Sequence, residues 1–171
     1  CAHVRRVEGA RLGVYFLEHG VPPRPIRVLY DRRDSAFARL TETDVDWAPV
    51  REARLFHVSG VTPALGDSAR GLVRRALREA AAVSFDLNYR ASLWSPAEAR
   101  QFADSILPEV RYLFVGQAEA QTVFDLPGPA ERTLEALARR APKATVTLMQ
   151  GEDGSTVLDG ATIGARSMSN A

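Results

Sequence analysis

From about residue 54 onward, short apolar runs alternate with segments that carry apolar residues at helical spacing. The apolar runs are rich in β-branched and aromatic residues and predict strands over 55–58, 83–87, 112–115 and 145–148. The intervening segments predict helices over 67–82, 96–107, 119–124 and 129–140. Because strands that alternate with helices form βαβ units, the pattern predicts an α/β fold with a mostly parallel sheet.

Two hairpins are marked by their turn residues. Residues 12–18 and 26–30 predict two strands that are joined by a proline-rich turn, and they stand apart from the alternating pattern. Residues 155–158 and 161–165 predict a second hairpin around the turn Asp159-Gly160. We therefore expect one small antiparallel unit outside the main sheet and a second hairpin near the end of the chain.

One helix start is specified by its capping residues, and one stretch specifies no element. Ser95-Pro96-Ala97-Glu98 is a capping box with proline at the first helical position. In residues 36–50, Asp44, Asp46 and Pro49 break any periodicity, so the sequence predicts neither helix nor strand there.

Composition excludes several classes of protein. With 171 residues, 46% apolar and 25% charged, the chain suits one globular domain. A formal net charge of +1 gives no argument for nucleic-acid binding. No apolar run is long enough to span a membrane, and no secretory signal pattern is present. The single cysteine, Cys1, fits a reducing compartment, so we expect a cytoplasmic protein.

Polar side chains follow the strand predicted over 83–87. Asn88 and Arg90 come directly after it, where the carboxyl edge of a parallel sheet binds ligands. Arginine offers a planar fork of donors and asparagine both donates and accepts, so the pair can hold an anion. Alternatively, Asn88 forms a turn and Arg90 pairs with a nearby acid.

The first predicted hairpin would bring Tyr15 close to Tyr30 and Arg32. Phenols and a guanidinium suit a hydroxylated substrate that carries a carboxylate, which arginine can bind bidentately. The alternative is a pair of sheet tyrosines beside a solvated arginine.

Two further segments combine glycine with acidic residues. Gly116 precedes a predicted helix in which Glu119 would lie near the positive end of the helix dipole. Gly151 and Gly154 follow the strand predicted over 145–148, and glycines there allow close backbone approach to a nucleotide. They equally suit a tight turn.

Three stretches resemble a known family. Phe85-Asp86-Leu87-Asn88-Tyr89-Arg90, with Leu93-Trp94 after it, resembles the ribokinase-type (PfkB) carbohydrate kinases. Residues 30–36 resemble the Tyr-x-Arg-x-x-Ser-Ala segment of the 2-keto-3-deoxygluconate kinases, the branch to which the chain is most similar, and residues 11–16 resemble the lid strand before it.

The resemblance implies a fold: a ribokinase-like three-layer α/β/α domain with a small β lid. The lid hairpin would cover about 11–32, and the α/β core about 54–171. We expect the chain to be the central part of such a kinase domain, truncated at both ends, because the family's Gly-Gly-x-x-x-Asn and Gly-Ala-Gly-Asp segments are absent from it.

The resemblance also implies site residues. Those implied to bind substrate are Tyr15, Tyr30, Arg32 and Arg90, and those implied to bind the nucleotide are Asn88, Arg90, Gly116, Gly151 and Gly154. Glu119 would be linked to magnesium through water. The chain departs from the family at two positions, with Gly116 where Asn is usual and Met149 where Lys is frequent.

The implied reaction is the ATP- and Mg²⁺-dependent phosphorylation of a sugar acid, most similar to 2-keto-3-deoxygluconate, at its primary hydroxyl. The general-base Asp of Gly-Ala-Gly-Asp has no counterpart, so no catalytic residue is assigned and we expect these 171 residues alone to be inactive. The alternatives are fructokinase or another sugar kinase of this family, and a nonenzymatic sugar- or nucleotide-binding relic. A homo-oligomer formed through the lid is expected, with neither nucleic acid nor membrane as a partner.

Overall fold

Two antiparallel strands form a hairpin at the start of the computed structural model, which describes residues 4–21, 23–160 and 162–166. Strand β1 (Val14–Glu18) pairs with β2 (Arg27–Asp31) in a two-stranded sheet of its own. This confirms the predicted small unit outside the main sheet. The register places Tyr15 opposite Tyr30 and Phe16 opposite Leu29.

Short helices connect the hairpin to the core. Two single 3-10 turns, Phe37–Arg39 and Glu42–Asp44, precede helix α1 (Ala48–Glu52). The second turn is capped, because the Asp44 carboxylate accepts the backbone N–H of Thr41 at 2.9 Å. Elements of three to five residues are too short for a helical period, so the sequence did not predict them.

The core alternates strands and helices as predicted. Its elements are β3 (Phe56–Ser59), α2 (Asp67–Glu79), β4 (Val83–Asp86), α3 (Pro96–Ile106), β5 (Tyr112–Gly116), α4 (Gln117–Phe124), α5 (Ala130–Arg140), β6 (Thr145–Met149), β7 (Ser155–Asp159) and β8 (Thr162–Arg166). The strands follow each other across one six-stranded sheet in sequence order. Strands β3 to β6 are parallel, and β7 and β8 add antiparallel. The predicted α/β class is confirmed.

A single row of apolar side chains crosses five strands and forms the centre of the core. Val58, Phe85, Leu113, Val146 and Leu158 are neighbours in the register, and each is at most 7% exposed. The helices cover this row with buried residues, including Val73, Phe102, Ile106, Leu134 and Leu137. Burial of that apolar surface is the main force holding sheet and helices together.

Element boundaries differ from the predictions by a few residues. Helix α2 ends at Glu79 because Ala80 is extended, with ψ 144°. Helix α4 begins at Gln117, two residues earlier than predicted, because Gly116 is its N-cap. In the second hairpin, Ala161 lies outside the described residues. None of the helices that the structure describes is long and apolar enough to cross a membrane.

Candidate active site

The turn after β4 brings polar groups to the carboxyl edge of the sheet. Asp86 ends the strand, and its Oδ1 accepts the backbone N–H of Asn88 at 3.2 Å. This side-chain turn holds Asn88 in the left-handed region, with φ 39°. Asparagine tolerates that conformation better than most residues. Within the described residues, no hydrogen bond engages the side-chain amide of Asn88, so the amide can meet a ligand.

Glu119, at the third position of α4, reaches this turn from the neighbouring strand end. Its Oε2 accepts the N–H of Gly116 at 2.9 Å, and its Oε1 accepts the N–H of Tyr89 at 2.8 Å. The Arg90 guanidinium lies 3.9 Å from Oε1. Asn88, Arg90, Gly116 and Glu119, called the edge cluster below, therefore meet at adjoining strand ends. Both local alternatives considered for Asn88 and Arg90, a turn and an acid partner, are present in this geometry.

Burial raises the pKa of the Asp86 carboxyl above its ordinary value, against the opposing effects of the Asn88 N–H, His57 and Arg90. A raised folded-state pKa favours the protonated form. The protonated Asp86 carboxyl therefore contributes to folding stability at pH values below its pKa in the unfolded chain. That contribution is lost as the pH rises through its pKa in the folded protein.

We therefore predict that Asp86→Asn has an equal or higher melting temperature than the parent at pH 7, because its amide oxygen still accepts the Asn88 N–H without a buried charge. The difference should shrink towards pH 4. Thermal unfolding at several pH values checks this. Asp31→Asn is the control of opposite sign, because the Arg11 hydrogen bond lowers the pKa of Asp31. A lower melting temperature for Asp86→Asn at pH 7 would contradict the prediction.

Gly60 lets the loop after β3 lie directly against the same turn. Its N–H donates to the carbonyl of Asp86 at 2.8 Å. A Cβ at this position would lie 2.0 Å from the carbonyl oxygen of Leu87. Glycine is required here by close approach, and the turn that carries Asn88 depends on it.

Gly60→Ala should lower the free energy of unfolding by at least about 2 kcal/mol, because backbone atoms must move to admit the methyl group. Gly71→Ala is the matched control. In α2 the nearest atom to an added Cβ is Glu42 Oε1 at 3.5 Å, and alanine there should stabilise by about 0.5–1 kcal/mol. Denaturant unfolding of both variants measures this. Equal effects would contradict the close-approach explanation.

The hairpin assembles a second group, the lid cluster, made of Tyr15, Tyr30 and Arg32. The two tyrosine rings are 6.4 Å apart. The Arg32 guanidinium carbon lies 5.0 Å from the Tyr30 ring centre and 6.0 Å from that of Tyr15. Among the described residues, no carboxylate lies within 4.0 Å of this guanidinium. The juxtaposition expected from the sequence is present, with a cation held on aromatic faces and free to bind an anion.

Arg11 fixes the base of the hairpin, a role that was not predicted. Its guanidinium pairs with the Asp31 carboxylate and donates to the carbonyl of Arg33 at 2.7 Å. The adjoining backbone is tied by a 2.9 Å hydrogen bond from Ala36 N–H to the carbonyl of Arg11. Opposite charges at the two ends of a predicted hairpin were the available signal for this contact.

The glycines after β6 form a tight turn beside an open cleft. Gly151 and Gly154 have φ 63° and 94°, so the backbone itself requires glycine at both positions. The cleft has a volume of about 640 Å³, and its lining includes Gly116, Gln117, Met149, Gln150 and Gly151. An added Cβ at Gly151 would meet no atom within 4 Å, so a ligand can approach that backbone. The residues can therefore form a tight turn and also leave their backbone accessible to a ligand in the cleft.

The structure thus gathers the site residues into two groups and the glycine turn. The edge cluster and the cleft share the carboxyl edge of the sheet, through Gly116. Within the described ranges, no hydrogen bond or ion pair joins the lid cluster to the edge cluster.

The whole arrangement is matched by a known family. The sequence profile of the pfkB family carbohydrate kinases matches residues 1–167. This chain belongs to the PfkB family. The predicted resemblance is therefore confirmed, and the α/β fold with its mostly parallel sheet agrees with it.

Several relatives are kinases of sugar acids. A 2-dehydro-3-deoxygalactonokinase of Haloferax volcanii is 38% identical over 94% of this chain and 52% of its own length. A 2-dehydro-3-deoxygluconokinase of Thermoproteus tenax is 34% identical over 76% of this chain and 41% of its own. The crystal structure of a 2-dehydro-3-deoxygluconokinase from Thermotoga maritima is 31% identical with a TM-score of 0.81, over 91% of this chain and 53% of that one. The chain spans about half the length of the relatives it matches.

Proposed function

We propose that this chain contributes the substrate lid and the phosphate-facing loops of an ATP-dependent kinase that phosphorylates a sugar acid at its primary hydroxyl. The observation that carries the proposal is the Arg32 guanidinium, which lies on two tyrosine rings and has no acid partner among the residues that the structure describes. A carboxylate is the group that an arginine fork binds best. Relatives whose names specify 2-dehydro-3-deoxy sugar acids support a substrate of this class. We take 2-keto-3-deoxygluconate as that substrate because two of them are named 2-dehydro-3-deoxygluconokinases.

The edge cluster and the cleft beside it are the proposed nucleotide side. The free amide of Asn88 and the Arg90 guanidinium suit phosphate oxygens, and Arg90 also reaches the sugar acid in this proposal. The turn of Gly151 and Gly154 would border the nucleoside. When bound, ATP supplies the γ-phosphoryl group and magnesium neutralises its charge.

We assign magnesium to this site through water and phosphate. Both Glu119 oxygens already accept backbone N–H groups. Among the described residues, no three His, Cys, Asp or Glu side chains converge as a metal cage. Magnesium commonly keeps several waters and binds substrate phosphates, so this arrangement is compatible with its use.

A neutral-sugar kinase such as a fructokinase is the nearest alternative, and a nonenzymatic binding relic is the other. Arg32 argues against the first, because a neutral sugar leaves its charge without a partner. The complete gene product should release ADP when given ATP, Mg²⁺ and 2-keto-3-deoxygluconate, and much less with fructose. Faster turnover with fructose would favour a fructokinase. Binding of ATP and sugar acid without turnover would favour the relic.

The outer face of the lid hairpin predicts self-association in the complete gene product. We place that gene product in the cytoplasm. Val14, Phe16 and Leu29 share one side of the hairpin by strand alternation, and Phe16 is 62% exposed. An apolar face of this kind favours pairing with a second lid.

Phe16→Glu should shift the protein to a smaller species in light scattering at micromolar concentration, because a carboxylate cannot be buried unpaired. Leu12→Glu is the control, since Leu12 is 80% exposed and precedes the strand. A monomeric parent protein would contradict the expected lid interface.

A further inference from the structure

Glu119 joins the start of helix α4 to a turn that lies thirty residues earlier in the sequence. Its side chain is 20% exposed, and each carboxylate oxygen accepts a different backbone N–H, from Tyr89 and from Gly116. The first bond ties helix α4 to the turn that carries Asn88 and Arg90. The second caps the first turn of α4 itself.

Gly116 provides the room for this arrangement. Its backbone, with φ −73° and ψ 146°, is a conformation that any residue adopts. A Cβ there would lie 3.3 Å from Glu119 Oε2 and 3.4 Å from its Cγ and Cδ, which is tighter than ordinary contact. Because Gly116 has no side chain, the Glu119 carboxylate can fold back over it and still reach Tyr89.

The charges around Glu119 do not favour a metal ion on its carboxylate. The Arg90 guanidinium lies 3.9 Å from Oε1, and two N–H dipoles point at the same group. A divalent cation placed there would be repelled by all three. The left-handed backbone of Asn88, by contrast, needs neighbours that hold it in place.

We propose that Glu119 is a positioning residue, which locks the Asn88–Arg90 turn through the N–H of Tyr89, and that Gly116 is its partner in this role. Glu119 acts on the nucleotide and the substrate through that turn and does not contact the metal. Only the kinetic part of the test depends on the proposed kinase function; the hydrogen-exchange part does not.

The test compares Glu119→Gln with Glu98→Gln in the complete gene product. Glu98 holds the same position in α3, where its Oε2 accepts the N–H of Ser95 at 2.8 Å, and it has no bond to the turn. In Glu119→Gln one of the two acceptor oxygens becomes an NH2 group, which donates and so cannot accept either backbone N–H. Amide hydrogen exchange over residues 87–91 should accelerate about tenfold or more in Glu119→Gln and stay unchanged in Glu98→Gln.

The kinetic arm separates positioning from metal binding. In Glu119→Gln, kcat/KM should fall about tenfold while the Mg²⁺ concentration for half-maximal rate stays the same. A shift in that Mg²⁺ concentration without faster exchange would overturn the proposal, as would equal acceleration in Glu98→Gln. If the gene product proves not to phosphorylate sugar acids, the exchange result still decides whether Glu119 holds the turn.

Discussion

Arg32→Ala in the complete gene product should lower kcat/KM for 2-keto-3-deoxygluconate by roughly 10- to 150-fold. The range corresponds to about 1.5–3 kcal/mol for a hydrogen bond to a charged group. The loss arises because the lid cluster would keep its two tyrosines but have no cation for the carboxylate. Use of fructose should change little, since a neutral sugar does not engage that charge.

Two variants make the Arg32 result specific. Arg33→Ala removes a neighbouring positive charge but keeps the carbonyl to which Arg11 donates, so it should stay within about twofold of the parent. Arg32→Lys keeps the charge but loses the planar fork, and should recover only part of the activity. Equal losses for the acid and the neutral sugar would mean that Arg32 supports the lid without binding the carboxylate.

The 171 residues alone should show no measurable sugar phosphorylation, at least about 10⁴-fold below a full-length relative. A general base typically contributes about 10²–10⁴ to the rate, and one anion-hole donor roughly 10²–10³. No residue of this chain matches the Gly-Ala-Gly-Asp segment that supplies both in the family. Arg32, Asn88 and Arg90 would supply part of the positioning, which is not enough for phosphoryl transfer.

An ATP-consumption assay on the purified chain, beside the Thermotoga maritima enzyme, measures this directly. Exposed apolar side chains on the hairpin, such as Phe16 and Leu29, make aggregation a parallel expectation. Light scattering on the same sample separates an inactive soluble protein from an aggregate. Comparable turnover by the two proteins would show that the chemistry lies within these 171 residues.

The elements of the fold could be predicted because their signals are local. Helical spacing identified α2 and α5, and the capping box at Ser95 is formed as expected, with Glu98 accepting the Ser95 N–H. The predicted hairpin was expected to bring Tyr15 near Tyr30, and the two are direct partners in the observed register. Segments without periodicity, such as the helix at 48–52, gave no comparable signal.

The contacts that build the site could not be predicted, because they join distant parts of the chain. The bond from Tyr89 N–H to Glu119 and the approach of Gly60 to Leu87 depend on the final placement of neighbouring strands. Sequence patterns indicated which residues lie at the sheet edge but not how they hold one another. For the same reason, only the structure shows that the missing side chain of Gly116 leaves room for the Glu119 carboxylate.

The central claim is that this protein recognises a sugar by its carboxylate. It is tested most directly by the ratio of kcat/KM for 2-keto-3-deoxygluconate to that for its methyl ester, measured with the complete gene product. The ester lacks the negative charge that the acid offers to Arg32 and is otherwise changed only by one added methyl group. We expect a ratio of roughly 10 to 150 in favour of the acid. A ratio near one would contradict it.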